Sequence, residues 1–248
     1  MLMKLKPSVV LSMKNKSKNT NETAETKFGC VFCERNFVRE STMLRHMCET
    51  KRRYEDRDKT GNRIGFSAWS QFMNKQTRKK KNDYMDFAKS PYYGAFVKFG
   101  NYCVDAKVLN PSRYLDWLLK ENIGLDTWNR DSNYTKFILD YIRSEDPLDA
   151  IARSIETTVV LAELDKIQTK DVLRYGNHNR ICYEITKGKI SPWMLYHSES
   201  GMKFIEDLDA TQQKMIIDYI DPEKWAIKFK RSANIITQVK ELLKAAGY

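Results

Sequence analysis

Glycine and histidine, two residue types on which many active sites depend, are scarce in this sequence. There are 10 glycines and 3 histidines among 248 residues. A glycine-rich phosphate loop, a Gly-x-Ser-x-Gly elbow and a His-Glu-x-x-His helix are all missing. These absences argue against the common nucleotide-binding, acyl-transfer and zinc-protease chemistries, and we expect a protein that is not an enzyme.

Long apolar runs are also missing, and cysteine is sparse. No run approaches the roughly 18 residues of a membrane-spanning helix, and residues 1–19 lack a small-residue cleavage site after an apolar core. We therefore expect no membrane association and no secretion, and an intracellular location in the cytoplasm or nucleoid of a host cell. Five cysteines, three of them between Cys30 and Cys48, favour a metal cluster in a reducing compartment over a disulfide framework.

Positive charge is concentrated at one end of the chain. Residues 1–81 hold 20 Lys and Arg against 8 Asp and Glu, whereas the remaining 167 residues hold 23 against 24. A basic arm beside a nearly neutral body is typical of a protein that binds a polyanion.

Changes in composition divide the chain into four parts. Residues 54–64 contain a turn signal at Thr60-Gly61-Asn62, and Phe66, Trp69 and Phe72 recur at helical spacing. The sequence predicts a disordered basic tail at 1–26, a small cysteine-containing unit at 27–53, a basic connector with a short helix at 54–81, and a helical domain at 82–248.

The predicted domain at 82–248 carries repeated helix-start signals. An N-cap residue followed by proline occurs five times, at Ser90-Pro91, Asn110-Pro111, Asp146-Pro147, Ser191-Pro192 and Asp221-Pro222. With a typical helix length of about 11 residues, we expect seven or eight helices and a mainly α fold. Residues 180–186 alone look like a strand.

The residues between Phe28 and His46 follow a recurrent spacing: aromatic-x-Cys-x2-Cys-x3-Phe-x5-apolar-x2-His. Cys30 and Cys33 are separated by two residues, so one turn can aim both thiolates at a single ion. The aromatic and apolar positions supply the only core that so small a segment can have, and His46 closes the site.

This pattern resembles the C2H2 zinc-finger family over about 26 residues, so the unit at 27–53 is predicted to be a zinc finger. The resemblance implies a small ββα unit that holds Zn²⁺, with three to five residues between His46 and the fourth ligand. Thr50, Lys51 and Arg52 occupy those places, so Cys48 becomes the favoured ligand, in a C2HC variant. Because residues two apart on a helix point to nearly opposite faces, the helix must end or unwind near Met47. A distant ligand (Cys103, Cys182, His178 or His197) and a bound water molecule are the alternatives.

The resemblance also suggests a binding face. Family members read bases from the position before the helix and from its third and sixth positions, which here are Arg39, Thr42 and Arg45, with Ser41 between them. One finger covers about three base pairs, so neighbouring basic residues would add contacts to phosphates. We predict binding to nucleic acid, DNA rather than RNA, with phosphate contacts from Lys51, Arg52, Arg53, Arg78, Lys79, Lys80 and Lys81.

Two other functions fit the sequence. In the first, the protein is an adaptor that binds a protein partner, the finger is structural, and the helical domain is the binding surface. In the second, the helical domain holds an unrecognised nucleic-acid enzyme site. Asn177-His178-Asn179 is similar to part of some nuclease loops, but we interpret His178 as an ordinary loop histidine. His46 to Arg53 and Gly65-Phe-x-x-Trp69 resemble uncharacterised zinc-finger proteins of T4-like phages. The resemblance implies a viral context and no particular activity, and in that context the adaptor would be a phage transcription or assembly factor.

Overall fold

Helices dominate the computed structural model, which describes residues 28–76 and 82–248. The described residues form 15 α-helices and one two-stranded sheet, so the predicted mainly α fold is confirmed. The chain divides into two compact units, of which the first ends at Arg52 and the second comprises Arg53–Tyr248. The predicted tail at 1–26 and the basic block Arg78, Lys79, Lys80 and Lys81 lie outside the described residues.

The first unit has the small ββα arrangement. Strands β1 (Phe28–Gly29) and β2 (Asn36–Phe37) pair antiparallel with Phe28 opposite Phe37, and helix α1 (Glu40–Arg45) follows. Helix α2 (Glu49–Glu55) begins only a few residues after α1 ends.

Short helices build the second unit. They are α3 (Thr60–Gln76), α4 (Tyr84–Lys89), α5 (Tyr93–Asp105), α6 (Pro111–Lys120), α7 (Asp131–Ser144), α8 (Pro147–Asp165), α9 (Val172–Tyr175), α10 (His178–Thr186), α11 (Pro192–His197), α12 (Glu199–Glu206), α13 (Ala210–Ile220), α14 (Pro222–Arg231) and α15 (Ala233–Ala245). Residues 82–248 thus contain twelve α-helices, and the predicted seven or eight is wrong. Caps and turns interrupt this region more often than we expected from an average helix length, so its helices are shorter and more numerous.

Four of the five cap-and-proline signals begin a helix as predicted. The side chains of Asn110, Asp146, Ser191 and Asp221 accept hydrogen bonds from backbone N–H groups at the starts of α6, α8, α11 and α14. Ser90 differs, because it ends α4 and its carbonyl oxygen accepts from the N–H of Tyr93 in a tight turn. Helix α5 therefore starts two residues after Pro91.

The predicted turn at Thr60-Gly61-Asn62 is wrong, because these residues form the first turn of α3. A Cβ atom on Gly100 of α5 would lie 1.9 Å from the carbonyl oxygen of Gly61 and 2.7 Å from the backbone nitrogen of Gly65. The two helices thus meet at backbone distance. Glycine is needed here for close packing between helices, and α3 is 17 residues long instead of a short helix.

The predicted strand at 180–186 is also wrong, because these residues lie in α10. The side chain of Asn177 caps this helix by accepting from the N–H of Arg180. Ile181, Cys182 and Ile185 are buried, which is the spacing of a helix with one face toward the core. His178, interpreted from the sequence as a loop residue, is the first residue of α10, and its ring lies 5.1 Å from that of Phe204.

Aromatic side chains fill much of the interior of the second unit. Trp128, Trp193 and Trp225 are almost fully buried, and their rings contact neighbouring aromatic rings edge-on. Arg153 and Glu145 form a buried pair joined by two hydrogen bonds of 2.6 and 2.7 Å. Most aromatic residues of the second unit therefore contribute to the packing of its interior.

Candidate metal centre

A tight turn after β1 positions the first two cysteines. The backbone N–H of Cys30 donates to the carbonyl oxygen of Arg35 at 2.9 Å, and the N–H of Glu34 donates to the carbonyl oxygen of Cys30 at 2.8 Å. Glu34 adopts a left-handed conformation with φ of 61°, which lets the chain reverse after Cys33. Two thiols separated by two residues are therefore held on one turn.

His46 lies where α1 stops. The helix ends at Arg45, and His46 has the extended dihedrals φ −66° and ψ 122°. Its ring packs against Phe37, with 4.8 Å between ring centroids. In extended backbone, residues two apart point to the same side, so Cys48 can face the same point as His46. The helix therefore ends before Cys48, as expected from the sequence. It ends at Arg45, two residues before Met47.

These turns bring four ligand atoms together. The Sγ atoms of Cys30 and Cys48 lie 4.0 Å apart, and Cys33 Sγ lies 3.2 Å from His46 Nε2. All four atoms lie within 4.8 Å of one another. Cys30 is buried, Cys33 is exposed, and His46 and Cys48 are half-buried.

The geometry of this cluster fits a tetrahedral zinc ion. Bonds of about 2.3 Å to sulfur and 2.0 Å to nitrogen at tetrahedral angles place two sulfurs about 3.8 Å apart and a sulfur and nitrogen about 3.5 Å apart. The Cys30–Cys48 sulfur separation of 4.0 Å and the Cys33–His46 separation of 3.2 Å are close to these values, and the other pairs lie within 4.8 Å. Three thiolates and an imidazole also match the ligand preference of zinc.

The alternative protein ligands lie in the second unit. Cys103 and Cys182 are buried in its core. The rings of His178 and His197 pack against the aromatic rings of Phe204 and Trp193. In the part of the chain that the structure describes, Cys30, Cys33, His46 and Cys48 form the group that could hold a metal ion.

The surrounding backbone shifts the acidity of two of the thiols in opposite directions. Burial works to raise the pKa of Cys30, but hydrogen bonds from the backbone N–H groups of Cys33 and Phe32 lower it below its ordinary value. At Cys33, a hydrogen bond from the backbone of Arg35 favours the thiolate, yet desolvation and the sulfur of Cys30 raise the pKa. Neighbouring thiolates repel one another unless a cation lies between them.

The predicted base-reading residues lie on one short stretch. Arg39 immediately precedes α1, and Ser41, Thr42 and Arg45 lie on it. The side-chain Nε of Arg45 donates to the carbonyl oxygen of Ser41 at 3.2 Å, and Arg39 and Arg45 are exposed. The helix begins at Glu40, so Arg39, Thr42 and Arg45 hold the three positions expected from the family pattern.

The basic residues of α2 differ in their surroundings. Arg52 is exposed, whereas Lys51 is half-buried and its Nζ lies 3.5 Å from the carbonyl oxygen of His46. The guanidinium of Arg53 lies 4.6 Å from the centre of the Tyr93 ring and donates to the carbonyl oxygen of Ala88 at 2.9 Å. Arg53 thus has contacts within the second unit that a phosphate would have to replace.

The sequence analysis missed four exposed apolar side chains in the first unit. Val31, Val38, Leu44 and Met47 are 56–76% exposed. Each lies next to a residue of the finger pattern and does not face its small core. Their signal in the sequence was the presence of apolar residues at positions that the pattern leaves open.

Comparison with known protein families, curated proteins and solved structures yields no match to this chain. The likenesses to C2H2 fingers and to phage zinc-finger proteins therefore depend on the motif residues alone. Within residues 28–76 and 82–248, no helix combines the length and apolar character needed to cross a membrane.

Proposed function

We propose that Cys30, Cys33, His46 and Cys48 hold one Zn²⁺. The observation that carries this proposal is the convergence of three thiols and one imidazole from two short segments, the turn at Cys30 and Cys33 and the stretch after α1. Four protein ligands leave no open position, which is typical of structural zinc. The ion would supply folding energy to a unit that has few buried apolar residues.

We propose further that the zinc-bound unit binds nucleic acid, DNA in preference to RNA, through α1. Support comes from Arg39 and Arg45, which are exposed at the positions where this class of finger contacts bases. Guanidinium groups suit paired hydrogen bonds to guanine O6 and N7. The excess of basic residues in 1–81 would add attraction to phosphates. The proposed role is binding inside the cell, without catalysis.

Metal analysis tests the first proposal. The purified protein should contain one zinc per chain by mass spectrometry, and a chelator should remove it with loss of ββα structure in the NMR spectrum. Protein without bound metal, prepared under reducing conditions with zinc present, would refute it.

Charge reversal tests the second proposal. Arg39→Glu with Arg45→Glu should abolish retention of short duplexes, and Lys214→Glu with Lys244→Glu, exposed residues of the second unit, provides a control with the same change in net charge. The slope of log affinity against log salt should fall by about 0.9 for each phosphate that the variant no longer neutralises. Equal effects of the two double variants would indicate non-specific attraction only.

A second candidate function is an adaptor that binds a protein partner. It is favoured by Val31, Val38, Leu44 and Met47, because exposed apolar side chains grouped on a small unit are typical of interaction sites. The same charge-reversal experiment separates the candidates. Nucleic-acid retention that survives reversal at Arg39 and Arg45, or that is absent from the parent protein, favours the adaptor.

A further inference from the structure

Cys48 has two roles at the start of α2. It lies immediately before the first residue of this helix, and its Sγ accepts a hydrogen bond from the backbone N–H of Lys51 at 3.4 Å. Its carbonyl oxygen accepts from the N–H of Arg52 at 3.0 Å. The residue in the fourth ligand position is therefore also the N-cap of the next helix.

Lys51 contacts both of the later ligand residues. Its backbone N–H points to the sulfur of Cys48, and its ammonium nitrogen lies 3.5 Å from the carbonyl oxygen of His46. Lys51 is half-buried instead of fully exposed to water. One residue thus links the two ligands that the chain brings together after α1 has ended.

The negative charge expected for the zinc-bound site favours an ammonium group such as that of Lys51 close to the ligands. Three thiolates and a neutral imidazole around a divalent ion carry a net charge of about −1. Partners outside the ligand set orient ligands and tune metal affinity, and a nearby ammonium group offsets the negative charge.

We propose that Lys51 is a positioning residue of the metal centre, whose side chain holds the backbone at His46 in place and compensates the charge of the thiolates. This inference depends on the proposed zinc site. It gives Lys51 a different role from the phosphate contact expected from the sequence.

Zinc affinity measured by competition with a chromophoric chelator tests the role of Lys51 in the full-length chain. Lys51→Gln should weaken zinc binding about tenfold, the lower end of the range for partners outside the ligand set, and Lys51→Arg should restore most of the loss. Arg52→Gln removes the same charge from the neighbouring, exposed position and should leave affinity within about twofold of the parent.

Cobalt substitution provides a second readout. The visible spectrum of the Co²⁺ form should show tetrahedral coordination in both the parent and Lys51→Gln, since the ligand set is unchanged, while the variant should lose Co²⁺ to the chelator faster. Equal affinities of Lys51→Gln and Arg52→Gln, whether both are reduced or both unchanged, would overturn the inference. A parent protein that binds no metal would instead refute the proposed function itself.

Discussion

The sulfur atoms of Cys30 and Cys48, 18 residues apart in the chain, lie 4.0 Å from each other. A half-buried thiol and a buried thiol at this distance gain little from each other as neutral groups. As thiolates they need a cation.

Removal of Cys48 should therefore have a large effect on metal binding. Cys48→Ala deletes one of four proposed ligands, and we expect zinc affinity to fall by more than the roughly 10- to 100-fold typical of losing a partner outside the ligand set. Cys103→Ala removes a buried thiol of the second unit and should leave the zinc content at one per chain. Zinc content and affinity, measured by mass spectrometry and chelator competition, check the prediction, which is contradicted if the two variants bind zinc equally.

Introducing a side chain at Gly100, where α3 and α5 are in contact, should destabilise the second unit. A methyl group on Gly100 would lie 1.9 Å from a backbone oxygen of α3, so Gly100→Ala should lower the free energy of unfolding by about 1–3 kcal/mol or more through overpacking. A Cβ atom added to Gly94, on the same helix, would meet no other atom within 4 Å. Gly94→Ala should leave stability unchanged or raise it by up to about 1 kcal/mol. Urea unfolding of both variants measures the difference, and equal destabilisation would show that the close contact is not the cause.

His197 should make the stability of the second unit depend on pH. Burial lowers its pKa, and the positive charge of Lys240 acts in the same direction, although a hydrogen bond with the carbonyl oxygen of Trp193 opposes them. The unfolded chain, with an ordinary pKa near about 6.5, then binds more protons than the folded chain below that pH. The contribution of His197 is complete above about pH 6.5 and is lost as pH falls toward its lower folded pKa.

The difference in unfolding free energy between the parent and His197→Gln should therefore shrink as the pH falls below about 6.5. His178→Gln removes a histidine from another helix as a control. Denaturant unfolding between about pH 5 and 8 measures both differences, and a constant difference for His197→Gln across this range would refute the prediction.

Tyr248 should stabilise the second unit through its hydroxyl group. Its oxygen lies 2.7 Å from both the hydroxyl of Thr158 and the carbonyl oxygen of Thr169. Tyr248→Phe should lower the free energy of unfolding by about 1 kcal/mol, the usual net contribution of a hydrogen bond. Tyr175, which is 73% exposed, provides the control Tyr175→Phe, and thermal unfolding should separate the two variants by several degrees.

Local signals in the sequence were sufficient to predict where several helices start and which residues form most of the candidate metal cluster. Asn110, Asp146, Ser191 and Asp221 cap helices because a short polar side chain followed by proline needs no distant partner. Cys30, Cys33 and His46 were evident from spacing alone. Cys48 could be predicted only as the favoured fourth ligand. Its position depends on the extended backbone conformation at His46, which the spacing of residues in the sequence does not reveal.

Other features depend on residues far apart in the sequence. Thr60-Gly61-Asn62 has the composition of a turn, and only the contact with Gly100, far along the chain from Gly61, explains why these residues form a helix. Residues 180–186 are rich in β-branched and aromatic side chains, yet the cap at Asn177 and the buried face of Ile181 and Ile185 favour a helix. Tertiary packing overrode local preference at both places.

Backbone contact between α3 and α5 also limits how these helices can move. Where helices touch through side chains, rotamer changes let them slide by small steps, but Gly61, Gly65 and Gly100 present no side chain that could adjust. Displacement would require the two helices to separate. Backbone amides around this crossing should therefore exchange with deuterium only through large-scale opening and rank among the slowest in the second unit.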